Sequence, residues 1–200
     1  MARGRLVTFE SLDPQIALSH MTACASALRF RGLDVVEVEE FAGTPGAQEI
    51  WQLLDSPDER FASSGAKALL RFAAANDVGE RLVSPALARG DWVVAAGLEY
   101  ERFTTSSTQA FPEHLMESLR AGAPGVPPAD LILIVEAPQG ARTGQSEPLC
   151  GAPESPSRGR HMSILKALAI QHPSLCQVIE AGQNGGDYLE HALTAIDRLN

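Results

Sequence analysis

The sequence is short of positive charge, has few aromatic residues and contains no long apolar run. Lys and Arg number 16 against 25 Asp and Glu, which gives a net charge of −9, and no run of Lys or Arg occurs. Nucleic acids and anionic membranes both attract clustered cations, so we expect neither as a partner. No stretch approaches the roughly 18 apolar residues of a membrane-spanning helix, and the first residues lack the apolar segment of a secretion signal.

The three cysteines, Cys24, Cys150 and Cys176, are odd in number and form no CxxC motif. This pattern is typical of a reducing compartment, so we expect a cytoplasmic protein in which Cys24 and Cys176 are buried as small apolar side chains. The five histidines have no metal-ligand spacing with a cysteine or a carboxylate, and most fall on the predicted surfaces of helices. The sequence therefore predicts no metal site.

What the chain does have is an apolar fraction of 44% over 200 residues, which suits a single domain spanning residues 1–200. The run Leu131-Ile-Leu-Ile-Val135 is apolar throughout, as in a central parallel strand covered on both faces. Strands alternate with helices, which indicates an α/β fold of three layers, α/β/α, around a five-stranded parallel sheet. The predicted strands cover residues 6–9, 34–38, 92–96, 131–135 and 176–179.

The helices are marked by their start and stop signals. Asp13 suits the N-cap of the first helix, Pro14 suits its first position, and Gly32 ends it. Residues 138–160 are rich in Gly, Pro, Ser and Gln and have no periodicity, which predicts a long irregular loop. Further helices are predicted in a short segment ending at Leu54, at residues 66–88 with an interruption near Ser84-Pro85, within 104–120, at 161–171 and at 187–199.

Several short segments match the pattern of one enzyme family, in the same order and along nearly the whole chain. They include Phe9-Glu-Ser-Leu-Asp13, Glu39-Glu-Phe-Ala-Gly-Thr-Pro45, Leu69-Leu-Arg-Phe-Ala-Ala-Ala-Asn76, the segment 128–138 and Val178-Ile-Glu-Ala-Gly-Gln183. The order resembles that of thymidylate kinases, the dTMP kinases of the P-loop nucleoside monophosphate kinase group. The resemblance implies a P-loop NTPase fold, a homodimer and, in an active member, ATP and Mg²⁺ as cofactors.

The chain departs from this family where the family holds phosphate. Ala17 stands at the position of the P-loop lysine, and Ile16 stands at the position of the glycine before it. Leu18 stands where the family has the residue whose hydroxyl lies next to magnesium. Phosphoryl transfer depends on positive charge around the phosphates, so these losses fall on the chemistry itself. An Asp13 N-cap would also accept from the free amides that a phosphate uses and would repel a second anion.

The base-binding helix is partly retained. Phe72 stands where the family stacks an aromatic ring on the base, and Asn76 stands where the family has an arginine for the base. Both are candidate nucleotide-binding residues by resemblance. An apolar residue in a helix reading Leu69-Leu70-Arg-Phe72 is more often core, and we favour that interpretation for Phe72.

The Asp-Arg-Tyr motif of the family has two alignments. Counting from the third strand places Ala96-Gly97-Leu98 there, which is a complete loss. A short insertion instead aligns Glu101-Arg102-Phe-Thr-Thr-Ser-Ser107, which we favour for its similarity. Glu101 and Arg102 are then relic catalytic candidates, or an exposed ion pair of little energetic weight. Ser107 becomes a nucleotide-binding candidate.

The lid of the family has lost most of its arginines in this chain. Only Arg142 and Arg158 are basic between residues 138 and 159, and Arg142 is the remaining lid candidate for nucleotide binding. We therefore favour a thymidylate kinase-like pseudoenzyme with a degenerate phosphate loop. It would need no cofactor and would act as a regulatory or structural partner of an unidentified protein. The alternative is an active dTMP kinase or nucleotide-binding protein that uses ATP and Mg²⁺ with an unusual loop.

Overall fold

The computed structural model describes residues 3–39, 42–54, 63–99, 113–123, 125–136, 156–180 and 187–199, and these form one α/β unit. Five short strands alternate with helices along the chain. The strands are β1 (Leu6–Glu10), β2 (Val35–Glu39), β3 (Trp92–Ala96), β4 (Leu131–Glu136) and β5 (Cys176–Glu180). The helices are α1 (Pro14–Phe30), α2 (Pro45–Leu54), α3 (Ser64–Val78), α4 (Ser84–Arg89), α5 (Glu113–Gly122), α6 (Pro156–Gln171) and α7 (Asp187–Asp197), with a π-helical turn (Gly79–Val83) between α3 and α4.

The five strands form one parallel sheet in the order β2-β3-β1-β4-β5. The middle strand β1 pairs with both β3 and β4, so that Phe9 lies opposite Ala96 on one side and Leu133 on the other. The predicted three-layer fold with a five-stranded parallel sheet is thereby confirmed. Because all strands run the same way, their carboxyl ends meet at one edge, which is where open α/β sheets bind ligands.

The core lies on both faces of the sheet, as the apolar strands predict. Alternate residues of β1 point to opposite sides, with Leu6 packing under α2, α3, α4 and α6 and Val7 and Phe9 packing under α1 and α7. Cys24 and Cys176 are fully buried in these two clusters, which confirms the expectation from their spacing. Burial raises the pKa of each thiol to about 12, so neither is a reactive thiolate at neutral pH.

Two helix boundaries differ from the sequence prediction. The predicted helix of residues 66–88 is divided into α3, a π-helical turn and α4. The re-start predicted near Ser84-Pro85 is confirmed, since α4 begins at Ser84, but the change of winding begins earlier, at Gly79. Gly79 lies so close to Gly125 that a Cβ there would be 2.2 Å from the Gly125 carbonyl carbon, and glycine alone permits this approach. The helix predicted from His161 already begins at Pro156, inside the segment predicted as loop.

Asp130 links the two ends of the described chain to the sheet. Its carboxylate accepts from the Leu6 amide at 2.8 Å and from an Arg5 guanidinium nitrogen at 3.3 Å. The other guanidinium nitrogen of Arg5 donates to the Leu199 carbonyl at 2.7 Å. The residues before β1 and after α7 therefore lie side by side.

Candidate functional site

The carboxyl edge of the sheet carries two buried acids at its centre. Glu10 ends β1 and is 2% exposed, and Glu99 follows β3 and is 1% exposed. The Glu99 amide donates to Oε1 of Glu10 at 3.0 Å, which ties the segment after β3 to the end of β1. A second tie is the Gly97 amide, which donates to the Phe9 carbonyl at 3.0 Å in a turn where Gly97 has φ +80°. This is the floor of the site predicted from the resemblance.

The first turn of α1 stands beside this floor, and its amides are already used. Asp13 is the N-cap, as predicted, and its Oδ1 accepts from the Gln15 amide at 2.9 Å. The Ile16 and Ala17 amides donate to the Asp13 carbonyl at 3.1 and 3.3 Å. Pro14 has no N–H to give. None of the four positions of the first turn therefore has a free N–H donor. An anion at a helix N-terminus requires such free donors.

The side chains of the same turn pack into the protein. Ala17 is 3% exposed and belongs to the cluster under α1, and Ile16 and Leu18 are partly buried against that cluster. The hydroxyl of Ser19, which follows Leu18, donates to the Ile16 carbonyl at 2.9 Å. The lysine position of a phosphate loop is therefore a core position in this chain.

His20 is an exception to the expectation that most histidines lie on helix surfaces. It is 8% exposed, its ring lies 3.8 Å from that of Tyr188 on α7, and its Nδ1 lies 2.7 Å from the Ile16 carbonyl. A carbonyl accepts, so Nδ1 carries the proton and Nε2 is a bare acceptor, which has no hydrogen-bond partner among the described residues. Burial lowers the pKa of His20, and the hydrogen bond to Ile16 opposes this in part.

The predicted nucleotide-binding residues Phe72 and Asn76 both lie on α3. Asn76 is held at both ends of its amide, since Oδ1 accepts from the Gly125 amide at 2.9 Å and Nδ2 donates to Glu80 at 3.0 Å. Phe72 lies one turn away and is half-buried. The core face of α3 is formed by Ala74 and Val78, while Leu69 is 43% exposed, and Phe72, which the sequence favoured as core, is not among the fully buried residues of this helix. Helical geometry places Leu69 and Ala73 on the opposite side from Val78.

The remaining predicted site residues, Glu101, Arg102, Ser107 and Arg142, lie outside the described residues. For the Asp-Arg-Tyr motif, β3 ends at Ala96 and is followed by Gly97 and Leu98, so the first acid after the strand is Glu99. Within the described ranges, no three His, Cys, Asp or Glu side chains are grouped so as to hold a metal ion. In the same ranges, no helix has the length and apolarity that crossing a bilayer requires.

Sequence reasoning missed the buried groups at this site. Glu10, Glu99 and His20 are the polar residues that the site buries, and the sequence marks only one of them by its spacing. His20 falls on the stripe Ala17, Met21, Cys24, Leu28 of α1, which recurs every three to four residues and is the buried face of the helix. Glu99 has no such signal, because it lies after the strand in a turn.

The chain is similar over nearly its whole length to curated enzymes of one family. It is 30% identical to a thymidylate kinase of Alkalilimnicola ehrlichii over 212 aligned residues, which cover 98% of this chain and 92% of that protein. The chain belongs to the thymidylate kinase family. A thymidylate kinase of Methylobacillus flagellatus is 36% identical over 143 residues, 68% of this chain and 66% of the relative. The family resemblance stated from the sequence segments is therefore confirmed.

Solved structures of the same family share the fold. A thymidylate kinase from Ehrlichia chaffeensis superposes with a TM-score of 0.69 at 15% identity, covering 98% of this chain and 99% of that one. One from Candida albicans gives a TM-score of 0.68 at 17% identity, with coverages of 99% and 92%. No protein-family model matches the chain. This member of the thymidylate kinase family thus shares the fold of the solved family structures.

Proposed function

We propose that this thymidylate kinase-like chain is a pseudoenzyme, which acts through its surface as a regulatory or structural partner, alone or as a homodimer. The observation that supports the proposal is the first turn of α1, where no amide is free and Asp13 supplies the local negative charge. The segment from Glu10 to Ser19 contains neither glycine nor a basic residue. A phosphate bound there would have to break the hydrogen bonds that the first turn makes to Asp13, and the negative charge of Asp13 would repel it.

The size of this effect decides between weak and absent binding. Loss of the lysine and placement of Asp13 near the phosphate each cost on the order of a few kcal/mol of phosphate binding. Together they are enough to move a micromolar nucleotide affinity to about millimolar or weaker. Packing also opposes a lysine at position 17, because Ala17 is buried and a long cationic side chain has no room beneath α1.

The second candidate is an active dTMP kinase that uses ATP and Mg²⁺, and the comparisons favour it over the first. The A. ehrlichii and M. flagellatus relatives are both thymidylate kinases, and the match to the former runs almost end to end. Under this candidate Glu101 would be the acid on the magnesium side, and the phosphate contacts would come from Arg102, Arg142 and Arg158 in place of the loop. The first turn of α1 would then contribute no direct contact.

A titration with both nucleotides separates the two candidates. ATP and dTMP, each with Mg²⁺, are titrated into the protein by calorimetry, and ADP release is followed in parallel with the A. ehrlichii thymidylate kinase as positive control. We expect no binding tighter than about millimolar and no ADP release. Micromolar binding of either nucleotide contradicts the pseudoenzyme, and turnover establishes the kinase.

If turnover is found, substitutions identify its source. Arg102→Ala and Arg142→Ala would then each lower turnover by about a hundredfold or more, because they would remove charge from the transferring phosphate. Asp13→Asn would change it little, since the cap would persist with an uncharged oxygen. A strong loss in Asp13→Asn would instead place the phosphate at α1.

A further inference from the structure

A groove of about 570 Å³ runs beside β5, far along the sheet from the start of α1. It is bounded by α6, by β5 and by the end of α7. The residues that matter to it are Glu136, Lys166, Ile170, Pro173, Val178 and Arg198. We call it the β5 groove. The proposed function uses none of these residues.

The backbone of β5 is open on the side of the groove. In the described sheet β5 is an outer strand and pairs with β4 alone. The Leu175 carbonyl accepts from the Ile132 amide at 2.7 Å, so it is directed toward β4. Carbonyls alternate in direction along a strand, and the N–H of a residue points the same way as its C=O. Val178, three residues on, therefore directs its N–H and C=O away from β4, toward the open side.

The walls of the β5 groove carry exposed apolar side chains. Ile170 is 84% exposed on α6, and Val178 is 45% exposed at the middle of β5. An outer strand with an exposed apolar side chain invites pairing with another chain, and proteins usually blunt such strands with charge or proline. Neither device stands at the middle of β5, whose sequence is Cys-Gln-Val-Ile-Glu.

The charges around the groove favour an acidic occupant. Lys166 forms an ion pair with Glu136, and Arg198 lines the groove as a second cation. The groove thus has two cations against one carboxylate, on a chain whose net charge is −9. A second copy of this chain would bring the same large negative charge and be repelled, whereas an acidic segment would find a cation at Arg198.

We propose that the β5 groove binds an extended, acidic segment of a partner protein, which adds to the sheet as a strand alongside β5. Backbone hydrogen bonds to Val178 would give the affinity, as in other cases of strand addition. An apolar side chain of the segment would cover Val178 and Ile170, and an acidic side chain would pair with Arg198. This interaction does not depend on whether the chain binds nucleotide.

Fluorescence polarisation with two labelled peptides tests the proposal on the full chain. The probes are acetyl-Asp-Val-Thr-Val-Thr-Val-Asp amide and the same peptide with Lys at both ends. We expect the acidic peptide to bind more tightly than the basic one, and Arg198→Ala to remove that preference. Val178→Pro lacks the outward N–H and is expected to weaken binding at least about tenfold, or 1.4 kcal/mol.

Two further variants guard the test. Ile170→Gln lies on a helix surface where the fold is not at risk, and it removes the apolar contact without adding a charge. It is expected to weaken binding as Val178→Pro does, so the test still holds if circular dichroism shows the proline variant to be unfolded. Leu69→Gln is the matched control, since Leu69 is 43% exposed on another surface, and its binding is expected to equal that of the wild type.

Three results would overturn the proposal. One is binding of neither peptide up to about millimolar concentration. Another is equal binding by wild type, Val178→Pro and Ile170→Gln. The third is a dimer in sedimentation velocity that Ile170→Gln dissociates and Leu69→Gln does not, because the groove would then be occupied by a second copy of this chain.

Discussion

At the scale of single residues, Ala17 marks the difference between this chain and a phosphate-binding loop. A kinase needs a lysine at this position with its ammonium group in the cleft. Here the position is 3% exposed and lies in the cluster between α1 and the sheet. The Gln15, Ile16 and Ala17 amides of the same turn are hydrogen-bonded to Asp13, so under the proposed function the backbone and the side chain each disfavour phosphate.

The substitution Ala17→Lys is therefore expected to destabilise the protein and to restore no nucleotide binding. Burying an unpaired ammonium group costs about 3 kcal/mol or more of unfolding free energy. Urea denaturation measures this cost, with Gln15→Lys as the control, because Gln15 is exposed two residues earlier and its change should be within about 0.5 kcal/mol. A stable Ala17→Lys variant that binds ATP would show that the turn is an open phosphate loop.

His20 gives the protein a pH-dependent stability. Its pKa is lowered by burial in the fold, so below its ordinary value of 6.5 the unfolded chain takes up a proton that the folded chain resists. Stability is full above pH 6.5 and falls as the pH decreases through that value. Replacement by Gln removes the titrating ring.

Denaturation at about pH 7.5 and about pH 5.5 measures this effect, since the two values bracket the ordinary histidine pKa. The loss of unfolding free energy on acidification should be smaller in His20→Gln than in the wild type. His191→Gln, an exposed histidine on α7, should lose as much as the wild type. Equal losses in all three proteins would mean that His20 takes up its proton in the folded state as easily as in water.

At the scale of elements, the π-helical turn between α3 and α4 is fixed by a contact between two glycines. A Cβ on Gly79 would come within 2.2 Å of the Gly125 carbonyl carbon and oxygen, and both are backbone atoms that cannot rotate away. The Asn76 side chain reinforces the contact through the Gly125 amide. The residue that the family would aim at a base thus holds the segment before β4 against α3.

Gly79→Ala should accordingly lower the unfolding free energy by about 1–3 kcal/mol, because the added methyl group forces backbone apart. Thermal and urea denaturation measure it. Gly122→Ala is the matched control, since a Cβ there meets nothing within 4 Å and should change stability by no more than about 0.5 kcal/mol. If both variants were equally stable, the two glycines would not be in contact in solution.

The elements themselves were largely predictable from the sequence, because their signals are local. The N-cap Asp13, the apolar run of β4 and the alternation of strands with helices each follow from a few neighbouring residues. The π-helical turn at Gly79 was not predictable, since its cause is Gly125, which is 46 positions away in the chain. The re-start near Ser84-Pro85 was predictable, because proline favours the first turn of a helix and α4 begins at Ser84.

At the scale of the whole molecule, the fold and the family were predictable and the state of the site was predictable only in part. The loss of the lysine and the glycine could be read at Ile16 and Ala17. The burial of Glu10 and Glu99 could not, because it depends on two strands, β1 and β3, meeting side by side. The family resemblance assigned Asn76 to binding of the base. Only the structure reveals that its Oδ1 accepts a hydrogen bond from the Gly125 amide.

The contact between Arg5 and the Leu199 carbonyl has a practical consequence for the topology. Two chain positions this close can be joined by a short Gly-Ser linker, and the chain can be opened in the exposed turn at Gly32 between α1 and β2. Such a circular permutant should give the circular dichroism spectrum and melting temperature of the parent within a few degrees. The same neighbouring ends suit the domain as a guest, because it can be inserted whole into a surface loop of another protein without stretching its host.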